Sequence, residues 1–280
     1  MDKQIITPKQ LADFQRHLVS QERSPGTVRK YLADLESFVR WLGGRPITRE
    51  EATAWKAHLT ARGYAPVTVN AKLAALNTFL RFAGWEDCRL RFLKIQRRMF
   101  RDQSRDLTRA EYEKLVAAAR DRGREDLALL LETICATGIR VSEVRYITRE
   151  AVWAGRADIA LKGKIRTILL PGKLCRKLKK FAQNKKIASG ELFLTGSGRP
   201  MTRQQIWAAM KALGRTAGVE ATKVFPHNLR HLFAAAFYRA CRDVVRLADV
   251  LGHSSIETTR IYLLTTGQEH RRQLDRLGLV

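Results

Sequence analysis

The chain has 280 residues, with 52 Lys and Arg against 27 Asp and Glu, a formal net charge of +25 at pH 7. Its 45% hydrophobic content is enough to bury a core, which excludes a disordered basic protein. The surplus of positive charge runs along the whole chain rather than in a tail, and so favours a polyanionic partner, nucleic acid first. The four cysteines, Cys88, Cys135, Cys175 and Cys241, include no pair at metal-clip spacing, so neither a disulfide scaffold nor a cysteine zinc site is expected. No apolar run approaches the ~18 residues of a membrane span. The opening Met1-Asp2-Lys3-Gln4 starts no signal peptide. The expected location is therefore a reducing cytoplasm.

The N-terminal third reads as a bundle of about four helices. Leu11 to Leu18 marks the first. Ser24-Pro25 supplies an N-cap and a first-turn proline for the second. Its apolar residues Val28, Tyr31, Leu32, Leu35, Phe38, Val39 and Leu42 fall at helical spacing, and Gly43-Gly44 stops it. Thr48 and Glu51 fit a capping box for the third helix. Val69, Leu73, Leu76, Leu80 and Ala83 mark the fourth. The stretch 89–105 then carries Arg89, Arg91, Lys94, Arg97, Arg98, Arg101 and Arg105 against the single acid Asp102. It reads as a basic linker, with Arg97, Arg98 and Arg101 suited to a phosphate backbone. The expected division is a helical domain over 1–88, a linker over 89–105 and a second domain over 106–280.

In the second domain Thr108 and Glu111 form a capping-box pair, and Leu115, Leu127, Leu130, Leu131 and Ile134 belong to buried helices. Over 152–171 the period changes to strand alternation, with Gly163 at a turn and Pro171 closing a hairpin that contains Lys162 and Lys164. Thr202 and Gln205 cap a further helix, and Pro226 opens another. The fold class expected is mainly α with a small antiparallel β-sheet.

Three segments stand out. Ala136-Thr137-Gly138-Ile139-Arg140-Val141-Ser142-Glu143 puts a glycine break after a buried helix, with Ser142 as the expected cap of the next. His227-Asn228-Leu229-Arg230-His231 sets His227 and Arg230 on one helix face. Leu251-Gly252-His253-Ser254-Ser255 leads through Thr258-Thr259-Arg260 to Tyr262, so that His253 and Tyr262 flank one short helix.

In this order, with the lysine-bearing hairpin between the first two, these segments resemble the tyrosine recombinase (phage integrase) family. The resemblance covers nearly the whole chain and implies a helical core-binding bundle followed by a catalytic domain. It places the nucleophile at Tyr262 and the phosphate-clamping arginines at Arg140 and Arg230. It places acid–base and phosphate-donor roles at His227 and His253, and a supporting carboxylate at Glu143. The hairpin lysine falls on Lys162, with Lys164 as the alternative. The implied partner is double-stranded DNA carrying recombination sites, bound by a homotetramer or by a tetramer shared with a partner recombinase. A topoisomerase of similar chemistry and a non-catalytic DNA-binding protein of the same fold are the competing expectations.

The residue types suit that chemistry. Two guanidiniums offer planar donors that keep their charge while negative charge develops on a phosphodiester. A tyrosine hydroxyl needs a base or a cationic site before it attacks, and a lysine can protonate the leaving oxygen. The sequence offers no paired carboxylates or H-x-x-E-H cluster and no G-x-x-x-x-G-K-[ST] loop, so neither metal, cofactor nor ATP is expected.

Overall fold

The computed structural model describes residues 4–96, 104–161, 164–253, 255–260, 262, 271 and 275–278. The chain divides into two compact units, Met1–Arg97 and Arg98–Val280.

The first unit is built on α1 (Pro8–Ser20), α2 (Pro25–Leu42), α3 (Arg49–Ala61) and α4 (Pro66–Phe82). Thr7 and Gln10 close a full capping box on α1, and Ser24 accepts from the Thr27 N–H at the start of α2. The α3 box forms only by half. Thr48 accepts from the Glu51 N–H, but the Glu51 carboxylate turns to Arg45 at 2.6 Å. A charged partner outcompetes a backbone N–H there. Phe14, Leu35, Phe38, Trp55, Leu73 and Phe79 meet in one core.

Beyond α4 the chain returns in extended form along that helix. Asn77 donates to the Leu90 carbonyl at 2.8 Å and accepts from the Leu90 N–H at 2.9 Å. Asn70 makes the same pair with Leu93, at 2.9 and 2.8 Å. The spacing explains the match. Seven helical residues rise about 10.5 Å, and three extended residues span about 10 Å. Leu90 and Leu93 also pack on the core. Residues 89–93, expected as the start of a linker, are therefore attached to the first unit. Arg97, Arg98 and Arg101 lie outside the described residues.

The second unit contains α5 (Arg109–Asp121), α6 (Glu125–Thr137), a 3-10 helix (Val141–Tyr146), α7 (Arg149–Ala154), strands β1 (Arg156–Leu161) and β2 (Lys164–Leu169), then α8 (Gly172–Asn184), α9 (Arg203–Thr216), α10 (Pro226–Cys241), α11 (Val244–Leu251) and α12 (Ile256–Arg260). The expected capping boxes on α5 and α9 are both complete. Helix α6 is apolar nearly all round, which suits a central element. It buries Leu127, Leu129, Leu130, Leu131 and Ile134, and α5, α8 and α10 pack against it. The two strands pair antiparallel, with Ile159 opposite Arg166 and Leu161 opposite Lys164. Ile159 and Ile168 join the core, whereas Ile165 and Leu169 face outward. The chain is thus mainly α with a small antiparallel sheet. Lys162 and Gly163 lie outside the described residues, and of Lys164 the description covers the backbone alone.

One local expectation is corrected. Ser142 does not cap a helix, because it sits inside the 3-10 turn. Arg140 holds the cap position, and the Glu143 carboxylate accepts from its backbone N–H at 2.7 Å.

The asparagine clasp gives a stability test. Asn77→Ala leaves the Leu90 N–H and C=O without their partner, at a cost of about 1–3 kcal/mol. The urea midpoint of the full chain should fall accordingly, and an unchanged midpoint would show that water replaces the clasp at no cost.

Candidate active site

Arg230 is the centre of the site. It lies on the first turns of α10, which Pro226 opens, and is only 1% exposed. Its Nη1 donates to the Gly138 carbonyl at 2.6 Å and its Nη2 to the Leu251 carbonyl at 2.7 Å. Nη2 also lies 2.9 Å from His253 Nε2. A guanidinium can only donate, so Nε2 is the acceptor and the His253 proton sits on Nδ1. Nδ1 then donates to Thr259 Oγ1 at 2.8 Å. Among the described residues no carboxylate pairs with Arg230. Burial, then repulsion from Arg140, pushes its guanidinium down to about 10, while the Tyr262 side chain against it works the other way. It remains charged at neutral pH.

A second layer holds Arg140. Glu143 is 1% exposed and bonds Arg140 Nη1 at 2.9 Å and Arg166 Nη2 at 2.6 Å. Burial alone would raise the Glu143 carboxyl. The Arg140 backbone N–H and the two guanidiniums hold it below its ordinary value instead. Arg166 reaches across from β2, where its Nη1 donates to the Val250 carbonyl at 2.7 Å. Two guanidiniums therefore flank one carboxylate. Arg140 keeps its side chain 38% exposed, so it faces the opening.

Two glycines make room for this. Gly138 ends α6 at φ +65°, and a Cβ there would stand 2.3 Å from Phe233 Cδ1. Gly252 ends α11 at φ +63°, and a Cβ there would stand 2.5 Å from Arg166 Cδ. Both turns are left-handed, which strains any residue with a side chain.

Tyr262 follows α12 and is buried. Its ring lies 4.5 Å from that of His231, 5.9 Å and nearly parallel from His253, and 6.4 Å from His227. A cavity of about 450 Å³ opens beside these groups, lined by Arg140, His227 and Arg230, and on its other side by Trp207 and Phe225. The fold thus gathers five of the residues read from the sequence, Arg140, His227, Arg230, His253 and Tyr262, and sets Glu143 behind them.

Residues 105–269 match the phage integrase family, and residues 11–87 match its N-terminal SAM-like domain. The chain belongs to the phage integrase family. It is 30% identical to the tyrosine recombinase XerA of Pyrococcus furiosus over 184 residues, 63% of each chain. It is 27% identical to XerA of Thermococcus kodakarensis over 279 residues, covering 96% of this chain and 95% of that one. Among solved structures, a lambda integrase(75–356) dimer bound to a COC′ core site superposes with a TM-score of 0.73 at 18% identity, over 91% of this chain and 94% of the other. A XerA recombinase crystal structure gives 0.53 at 20% identity, over 98% and 100%. These structural likenesses establish the family's fold in this chain.

Sequence reasoning missed Arg166, His231 and Thr259. His231 stands in the quoted segment, but nothing in its spacing shows that its ring meets Tyr262. Arg166 is a hairpin residue whose partners lie on other elements. His253, read from the sequence as a donor to phosphate, here lies against Arg230 and accepts from it through Nε2.

His253 carries a pH signature. Burial, then the charges of Arg230, Arg140 and Arg166 and of His227, lower its pKa from 6.5 to about 4. The folded chain holds it neutral where the unfolded chain would protonate it. The stability tied to this state is complete above about pH 6.5 and is lost as pH falls toward 4. The melting temperature of the wild type should therefore drop more steeply across that window than that of His253→Gln. Parallel profiles would contradict the assignment.

Proposed function

We propose that this chain is a site-specific DNA recombinase that cuts and rejoins strands through a covalent 3′-phosphotyrosyl intermediate at Tyr262. The observation that carries the reading is the buried Arg230 guanidinium, which among the described residues pairs with no carboxylate, with the Tyr262 ring packed into the same site. A buried cation without an anion is costly, and a phosphodiester supplies the anion. Arg140, half exposed at the mouth, supplies the second guanidinium.

The steps balance as follows. The Tyr262 oxygen attacks phosphorus, its proton passes to His227, and the P–O5′ bond breaks. The 5′ oxygen takes a proton from the hairpin lysine, Lys162 or Lys164. In the second half a different 5′ hydroxyl gives its proton to the now neutral lysine and attacks phosphorus, the bond from phosphorus to the Tyr262 oxygen breaks, and that oxygen takes back the proton held by His227. One phosphodiester is exchanged for another of equal energy, so no ATP is consumed. Charge stabilisation is assigned to Arg140 and Arg230, Glu143 and Arg166 hold Arg140, and His253 holds Arg230. No metal or cofactor has a part.

The same reading extends to the rest of the chain. The helical unit and the catalytic unit engage one duplex, and Arg97, Arg98 and Arg101 in the 89–105 stretch meet phosphates. The solved relatives include a lambda integrase tetramer bound to a Holliday junction and XerH bound to its difH substrate. By analogy this chain works as a tetramer on two DNA sites, in the cytoplasm at the nucleoid.

Recovering and sequencing the DNA linked to the chain in cells supplies the substrate for the test. A nicked duplex of that site should trap a protein–DNA adduct with the wild type, in excess EDTA as well as without it. Tyr262→Phe should bind the duplex with nearly the same affinity and form no adduct. An undiminished adduct in Tyr262→Phe, or cleavage that stops with EDTA and returns only with Mg²⁺, would overturn the reading.

A further inference from the structure

The cavity beside the site has two unlike walls. One carries Arg140, His227 and Arg230. The lining from α9 and from the residue just before α10 brings the aromatic rings of Trp207 and Phe225, with Arg203 one turn before Trp207. On α9 the buried residues are Ile206, Met210, Leu213 and Gly214, which leaves Arg203, Trp207 and Lys211 at four-residue intervals along a different face. Trp207 is 51% exposed, although an indole normally buries most of its surface. It is also held in place. Lys211 donates to the Ala221 carbonyl, and its Nζ lies 5.3 Å from the Trp207 ring centre and 5.9 Å from that of Phe225. A cation over an aromatic ring is attracted to its face. The indole is thus fixed, half in water, at the rim of the cavity that holds the catalytic arginines.

We propose that the Trp207–Phe225 wall is a deoxyribose subsite, which packs against the sugar of a nucleotide adjoining the scissile phosphate and sets that phosphate in line with Tyr262. This rests on the DNA-cleaving reading above. The occupant follows from continuity, because a phosphate clamped by Arg140 and Arg230 brings its two attached sugars to the rim of the same cavity. Between sugar and base, the sugar is favoured. In a duplex the base is stacked and paired, and leaving the stack costs both interactions. The sugar lies beside the phosphate and presents C–H groups to an apolar wall. Trp207 is accordingly a positioning residue, and the effect of its loss falls on the rate of the covalent step more than on affinity.

The test uses the full chain and the nicked duplex of the site recovered from cells. Trp207→Ala should slow adduct formation about tenfold or more, the scale expected when a reacting group is misplaced. Its affinity for the duplex should hardly change, and Trp207→Phe should restore most of the rate. The DNA is then altered at one nucleotide, first on one side of the scissile phosphate and then on the other. A tetrahydrofuran analogue keeps the sugar and removes the base, so the gap between wild type and Trp207→Ala should persist. A propanediol spacer removes the sugar as well. On one side it should slow the wild type to the rate of Trp207→Ala and close the gap. That wild-type arm needs no variant to fold. A gap that survives the spacer on both sides, or closes already with the tetrahydrofuran analogue, overturns the subsite. A wild type that forms no adduct on the unmodified duplex overturns the recombinase reading itself, whereas an adduct without a Trp207 effect removes only the subsite.

Discussion

A single buried cation sets the terms for the catalytic unit. Arg230 is buried on the first turns of α10 and satisfied by two main-chain carbonyls and a neutral imidazole, with no carboxylate partner among the described residues. Carbonyls meet the geometry of a guanidinium but do not cancel its charge. The cost shows in its lowered pKa and in the imidazole beside it, which burial and then the surrounding cations keep unprotonated. A carboxylate in that position would stabilise the empty protein and would compete with a phosphate for the same donors. The arrangement sacrifices stability for a site that is charged and oriented before DNA arrives, the kind of preorganisation from which electrostatic catalysis draws its effect.

The rest of the unit keeps that cation in place. The carbonyls that receive Arg230 come from the ends of α6 and α11, and both helices finish in left-handed glycines whose missing side chains let Phe233 and Arg166 approach. Glu143 does have the role of a counter-ion, but one layer back, where it joins Arg140 to Arg166 and leaves the front of Arg140 open. The site thus separates two tasks. One carboxylate fixes the frame, and the reacting face stays net positive.

Much of this was legible in the sequence. Helix starts followed from Ser24, Thr48, Thr108 and Thr202, whose side chains cap locally, and the buried α6 followed from Leu127, Leu130, Leu131 and Ile134. The motif residues came together because each sits at the end of a helix, where a short break in pattern is visible. Arg166 was not legible as a site residue, since its partners belong to the 3-10 turn and to the end of α11, far away in the chain. Nor was the role of His253, which depends on which nitrogen meets a group that can only donate. The Glu51 and Ser142 expectations failed for local reasons. A nearby Arg45 drew one carboxylate away, and a 3-10 turn replaced an α-helical start. The docking of Leu90 and Leu93 escaped notice because the arginines around them dominate the composition.

The central claim is that Arg230 is present to meet the negative charge of a phosphodiester. Replacing the scissile phosphate by a methylphosphonate removes that charge and leaves the shape nearly unchanged. On the normal duplex, Arg230→Ala should form no measurable adduct at Tyr262. On the methylphosphonate duplex, where there is no charge to offset, the same variant should recover attack by Tyr262. Adduct formation by Arg230→Ala on the ordinary phosphate, or its complete absence on the methylphosphonate while the variant remains folded, would contradict the account.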